Sequence, residues 1–338
     1  MTIPTGDAVL SSEWLSRTLE ASPGWPGGAA RVVSASRIGV DHGFSGRVHR
    51  VVAETRGGSI SFIVKQDDSA QVERELLFRS HMGERLRDCI AKCFGGLSDS
   101  QSGSGVLVLE DVTPAEQGDV LHGCTHAQAE AVVRALARVH GAASWAAIPP
   151  GLPRWRPPPM EPDAWADRLE RARQRFPAIL NSSLLAELHD LPEQVASAVE
   201  QLTRGRVSWI QVDAHLDNVL WRRDGTAVLL DWCNAAIGPS AVDLARFLVE
   251  GVVDASQPDR VSALMSTYVE ERGIQGARAG PIELHAGFAL ALAPLLQGAI
   301  GWAGNQESEL TGRPGALCKS FVRSLCDWSV SDEYGLRR

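Results

Sequence analysis

The chain has 338 residues, 44% of them hydrophobic and 22% charged, which is enough apolar sequence for a sizeable core and excludes disordered and collagen-like classes. Lys and Arg number 33 against 41 Asp and Glu, a formal charge of -8, so there is no basic footprint for a nucleic acid or an anionic membrane, and a neutral or cationic small molecule is the better-matched partner. Six cysteines without a CxxC pair (Cys89, Cys93, Cys124, Cys233, Cys318, Cys326) exclude a readable zinc knuckle or redox dithiol and are expected to be reduced and mostly buried.

The first charges are Asp7 and Glu13, with no basic segment ahead of an apolar run, so no secretory signal is expected and a cytoplasmic location is. Ser11 and Ser12 before Glu13-Trp14-Leu15 predict a capped leading helix within 1–30, ended by the breakers from Pro23 to Gly28. Strands follow: Val48 to Ala53, a Gly57-Gly58 turn, then Ile60 to Val64 read as a hairpin. Ala70 to Leu86 carries Val72, Leu76, Leu77 and Met82 at helical intervals, and Val106 to Leu109 is a short apolar strand.

Beyond Thr113 the pattern is helical: Thr125 to Ala142, Ala164 to Phe176 and Leu184 to Leu202. A Pro-rich loop spans Pro149 to Pro162. Trp209 to Val212 and Ala227 to Leu230 are read as a strand pair around Asp213 to Asp224. The uncharged run Ala286 to Gly304 approaches membrane-spanning length, but Pro294, Gln297 and its Ala/Gly content favour a buried core helix. Trp155, Trp165, Trp221 and Trp302 are expected to be core residues, with an acceptor pocket as the competing reading.

Chemistry concentrates in two places. Asp213 and Asn218 are five residues apart, and Asp231 follows the apolar strand thirteen residues later. Phosphoryl transfer needs a carboxylate beside the attacking hydroxyl and hard oxygen ligands for magnesium, groups this segment supplies; a polar loop followed by a strand that ends in Asp is the competing reading of the short pattern. Upstream lie Gly39 to Gly46, including Gly43, Ser45 and Gly46, then Lys65 at a strand end and Glu75 ten residues on along the next helix. A glycine loop lets backbone N–H groups approach phosphate, and a lysine fixed by a glutamate can neutralise it. The loop lacks the GKS or GKT ending of a Walker motif.

In this order and spacing, Ile38 to Phe247 resembles the aminoglycoside phosphotransferase and choline kinase-like family, small-molecule relatives of the protein kinases. The resemblance implies an α+β, two-lobed protein-kinase-like fold with a small antiparallel N-lobe sheet and a mainly helical C-lobe. It implies a nucleotide-binding lobe over 1–112 and a lobe over 113–338 carrying the catalytic loop and acceptor site. By residue, it makes Asp213 the catalytic aspartate, Asn218 and Asp231 the magnesium ligands, and Lys65 with Glu75 the phosphate-positioning pair. Gly43, Ser45 and Gly46 belong to the phosphate loop, and Glu110 and Val112 to the segment Leu107 to Val112 on which the nucleotide base hangs. Leu136 to His140 and Asp243-Leu244-Ala245 are supporting marks.

The implied donor is ATP or GTP with Mg2+, and the acceptor a hydroxyl of a small molecule. An antibiotic is favoured, which would make the activity one of resistance; a metabolic sugar, choline or homoserine kinase is the alternative, and a catalytically silent nucleotide-binding protein a second. Two positions depart from the family pattern. Gln211 stands where a histidine precedes the catalytic aspartate, and is expected to hydrogen-bond the loop backbone; Asp217 stands where glycine is common, and is expected to put an extra carboxylate near the nucleotide or acceptor. His215 is read as orienting the loop rather than moving a proton, and Trp232-Cys233 after Asp231 as a mark of a small-molecule rather than a protein substrate.

Overall fold

The computed structural model describes residues 3, 6–20, 25, 28–39, 46–142, 151–250, 252, 257–274, 281–305 and 310–330. The chain divides into two compact units, Met1–Glu116 with Leu220–Ala235, and Gln117–Val219 with Ala236–Arg338. A single cut after Val112 would place the segment 220–235 with the second half, whereas it packs with the first. Its anchor is a parallel bridge from Ile90 to Leu229, with Leu229 N donating to Cys89 O at 2.8 Å.

The first unit opens with α1 (Ser12–Glu20), which buries Trp14, Leu15 and Leu19. Five antiparallel strands follow: β1 (Arg31–Ile38), β2 (Arg47–Thr55), β3 (Gly58–Asp68), β4 (Cys93–Asp99) and β5 (Ser104–Glu110), in the order β1-β2-β3-β5-β4. Period-two alternation divides β3 and β5 between the two sheet faces. Phe62, Val64, Val106 and Val108 meet α1, while Leu107, Leu109 and Ile63 meet α2 (Ser69–Met82). Asp68 caps α2 by accepting from Ala70 N at 2.8 Å. The helix lies so close to the sheet that a Cβ on Gly105 would fall 2.4 Å from Val72 Cβ. β6 (Ala115–Gln117), β8 (Val219–Arg222) and β9 (Ala227–Leu229) form a small second sheet.

The second unit is mainly helical: α3 (His126–Ala142), α4 (Pro162–Arg175), α5 (Ser182–Leu188), α6 (Leu191–Arg204), α7 (Ser240–Val249), α8 (Pro258–Ile274), α9 (Pro281–Ala303) and α10 (Gly312–Ser329). The helix expected over Leu184 to Leu202 is two helices, because Asp190 and Pro192 start α6 afresh. The expected strand pair is also revised: β7 (Ser208–Ile210) pairs with β10 (Ala236–Gly238), and β9 joins the sheet of β8. Each of those strands is only three residues long, too short for its apolar pattern to reveal its partner. The apolar run is the core helix α9, packed against α4, α6, α7 and α10 with Phe288, Leu292, Leu296 and Ile300 buried. It is long and apolar enough to cross a membrane, but two thirds of its apolar window is buried within the protein.

Candidate active site

In the first unit Lys65 shares the α2 face of β3 with Ile63. Its Nζ donates to Glu75 Oε2 at 3.1 Å and to Asp231 Oδ1 at 2.7 Å, and Asp67 Oδ2 lies 3.9 Å away. Glu75 is fully buried, and its other oxygen receives Arg79 Nε at 3.0 Å and Nη2 at 2.7 Å. Burial alone would favour the neutral forms of both partners. The Glu75 and Asp231 carboxylates nevertheless raise Lys65 above the ordinary lysine value, and Lys65 and Arg79 hold Glu75 below the ordinary glutamate value.

Asp231 adopts a left-handed φ of 53° just beyond β9. The next two residues fix it to α2. Trp232 stacks on Phe78 with centroids 3.9 Å apart, and Arg74 Nη1 donates to Cys233 O at 3.0 Å. The side chain of Glu110 accepts from Arg222 Nη2 and from Lys92 N, each at 3.0 Å, and its main-chain N donates to Lys92 O at 2.8 Å. Val112 is buried with Ala91 and Val228, and half-buried Leu220 and Leu230 pack on them. Gly46 has φ 77°, and a Cβ there would fall 2.8 Å from Gln66 O, so glycine is required at the start of β2. Gly43 and Ser45 lie outside the described residues.

In the second unit Asp213 follows Val212, a β-branched residue at φ 70°, a conformation costing about 1–3 kcal/mol. Asp243 on α7 offsets that strain: Oδ2 accepts from Gln211 N at 2.6 Å and Oδ1 from Val212 N at 2.8 Å. His140 Nε2 reaches the same carboxylate at 3.2 Å and its Nδ1 lies 2.9 Å from Tyr268 Oη. Burial pushes His140 below its ordinary value although Asp243 pulls the other way, so the neutral ring donates from Nε2 and accepts from tyrosine. The helix Leu136 to His140 and the Asp243 turn are thus the support on which the Asp213 loop is bent.

Asp213 Oδ1 lies 2.8 Å from Arg246 Nη2 and 3.5 Å from His215 Nε2. Burial would raise the Asp213 carboxyl, but Arg246 and then His215 hold it well below the usual carboxylate range. Asn218 Nδ2 donates to Asp213 O at 2.9 Å, so the amide's other atom, the hard oxygen Oδ1, is not the one spent on this bond. That oxygen in the second unit, and separately the Asp231 carboxylate in the first, are hard donors of the type a divalent cation takes. Asp217 is no part of this set, which corrects the expectation for it: Oδ1 accepts from Val120 N at 2.8 Å and Oδ2 takes Arg313 Nη2 at 2.6 Å.

A cavity of about 330 Å³ in the second unit is lined by Val212, Arg246, Glu250, Trp155, Trp302 and Phe321, among others. Trp165 and Trp221 are core residues, and Trp155 and Trp302 are on the cavity wall. Sequence reasoning passed over Arg246, Glu250 and Arg313. For the first two a signal existed, an Arg/Glu pair four apart in the otherwise apolar segment Leu244 to Glu250; Arg313 carried none.

An antiparallel-sheet unit with a buried lysine–glutamate pair, and a helical unit with an aspartate–asparagine loop, define the protein-kinase-like α+β fold of small-molecule kinases. Residues 37–279 match the family model of the phosphotransferase enzyme family, APH, and the chain belongs to that family as a small-molecule phosphotransferase. Similar solved structures include an aminoglycoside-phosphotransferase-like protein from Ralstonia eutropha (14% identity, 95% of this chain and 96% of that one, TM-score 0.60). A microcompartment-associated aminopropanol kinase is similar at 15% identity, 90% and 94% coverage and TM-score 0.60. A spectinomycin phosphotransferase solved with ADP and spectinomycin is similar at 14% identity, 93% and 97% coverage and TM-score 0.53. Comparison with curated protein sequences gives no match.

Proposed function

We propose that the protein transfers the γ-phosphoryl group of ATP or GTP to a hydroxyl of a small molecule, an antibiotic being the favoured acceptor, in the cytoplasm. The observation that carries this reading is Asp213, ionised and held by Arg246 Nη2 at 2.8 Å beside a cavity open to an acceptor. The acceptor hydroxyl oxygen bonds to the γ-phosphorus as the bond to the β–γ bridging oxygen breaks, and its proton passes to the Asp213 carboxylate. Because that carboxylate is a weak base, it orients the hydroxyl first and takes the proton late, once the new bond has made the oxygen acidic.

Lys65, fixed by Glu75, neutralises the donor phosphates, with Gly43, Ser45 and Gly46 covering them by backbone N–H groups. The apolar group of Val112, Ala91 and Val228 receives the base, with the main chain of Glu110 at its edge. Asn218 and Asp231 would hold magnesium, which when bound supplies charge neutralisation at the phosphate oxygens. A spectinomycin phosphotransferase and an aminopropanol kinase among the similar structures support an alcohol acceptor and keep a metabolic amino or sugar alcohol as the second reading.

The test is a mass-spectrometric screen with Mg2+ and ATP or GTP against hydroxyl-bearing antibiotics, choline, homoserine and sugars, using wild type and Asp213→Ala. A gain of one phosphoryl mass on an antibiotic, lost in the variant with nucleotide binding retained, is expected. Gain on a metabolite alone would promote the second reading. Nucleotide binding without transfer to any acceptor would favour a catalytically silent protein.

A further inference from the structure

Arg246 and Glu250 bring an unused donor and an unused acceptor into the cavity beside Asp213. Glu250 is 3% exposed. Arg246 Nε lies 3.0 Å from Glu250 Oε2 but off the N–H direction, and both atoms are buried without a hydrogen bond. Such atoms carry a desolvation penalty that a ligand able to donate to one and accept from the other would relieve. A hydroxyl or an amide does both; an ammonium group only donates.

The charges at this end of the cavity point the same way. The carboxylates of Asp213 and Glu250 share the Arg246 guanidinium, whose Cζ already stands 6.0 Å from the Phe321 ring centroid. The position over an aromatic face that an ammonium ligand would take is therefore occupied by the protein's own cation. Arg156, exposed on the same cavity, adds a second positive charge. Burial raises the Glu250 carboxyl above its ordinary value, which weakens its pull on a further cation. Trp155, Trp302 and Pro294 complete apolar walls around a volume of about 330 Å³, small for a ligand pocket.

We infer that the acceptor is an uncharged alcohol with a flat, apolar body and an amide or second hydroxyl group that pairs with Arg246 Nε and Glu250 Oε2. This rests on the cavity being the acceptor site of the proposed phosphotransfer, and it separates the protein from enzymes that take polycationic or quaternary-ammonium acceptors. Calorimetric binding without any donor nucleotide tests it separately from turnover. The probes are chloramphenicol and thymidine as neutral alcohols, and kanamycin and choline as cationic ones.

The neutral probes are expected to bind at least about tenfold more tightly than the cationic ones. Trp302→Ala should weaken the neutral probes by about tenfold, and Arg246→Met, leaving two carboxylates without their cation, should shift the ratio at least about tenfold toward kanamycin and choline. Equal or tighter cationic binding by the unsubstituted protein would overturn the inference, as would binding of neither class. An unchanged ratio in folded Arg246→Met would also overturn it; if that variant does not fold, the wild-type ratio and Trp302→Ala decide. Neutral-probe binding with no phosphoryl transfer to any acceptor would refute the phosphotransfer reading, and with it the acceptor role, and leave only the cavity's preference for a neutral ligand.

Discussion

Lys65 sits among three carboxylates, with Asp231 and Glu75 in contact and Asp67 at 3.9 Å. Removing the cation leaves Glu75 to Arg79 alone, so Lys65→Met should lose about 1–3 kcal/mol of stability in urea unfolding. It should also lower kcat/KM for the donor by on the order of 10²–10³ in steady-state assays. Because Lys65 is shifted up and Glu75 down, neither titrates between about pH 5 and 9. The pH–rate profile over that range should therefore show no limb that Lys65→Arg moves. Asp213→Asn should cost on the order of 10²–10⁴ in kcat while the donor Kd measured by calorimetry stays within about twofold.

The element that positions Asp231 is the short run 231–233, which has no regular structure and is held by α2 through the stacked Trp232 and the hydrogen bond from Arg74 to Cys233 O. Trp232 is fully buried, and Trp232→Ala should destabilise the protein by about 3–5 kcal/mol. Trp232→Phe keeps the stack on Phe78 and should recover more than half of that in the same unfolding measurement. The corresponding support for Asp213 is α7, whose Asp243 accepts both N–H groups of the bend at Val212. Asp243→Ala removes both acceptors and the partner of His140. It should cost about 3–5 kcal/mol and kcat together, a loss to be read by urea unfolding and steady-state assay side by side. Elements with long periodic sequence, such as α2, α3, α9 and the β2–β3 hairpin, were legible in advance; β7 and β9 were legible as strands but not their pairing, because three residues are too short a pattern to identify a partner.

At the scale of the whole molecule, Arg313 on α10 bridges Asp119, at 3.0 Å, and buried Asp217, at 2.6 Å. It thereby ties α10 to residues 194 and 96 positions away in sequence. Burial alone would raise the Asp119 carboxyl; hydrogen bonds from Arg313 and His122 outweigh it and hold it at about 2. A folded value below the unfolded one contributes stability that is full above about pH 4 and disappears as pH falls toward 2. Arg313→Met should therefore be less stable than wild type by about 3 kcal/mol near neutrality. In urea melts at a series of pH values, that gap should narrow between about pH 4 and 2. A constant gap across that range would mean that Arg313 acts by packing alone.

What the sequence determined by itself was the inventory of chemistry: which lysine, glutamate, aspartates and asparagine, and the order of elements that carries them, because side-chain period and motif spacing are local properties of the chain. Tertiary structure alone decided that Asp217 is a structural anchor and that residues 220–235 pack with the first unit. It also decided that Arg246 and Glu250 line the cavity beside Asp213. Each of these depends on contacts between residues far apart in sequence, and a charge reads the same in one dimension whether it meets solvent, a ligand or a buried partner.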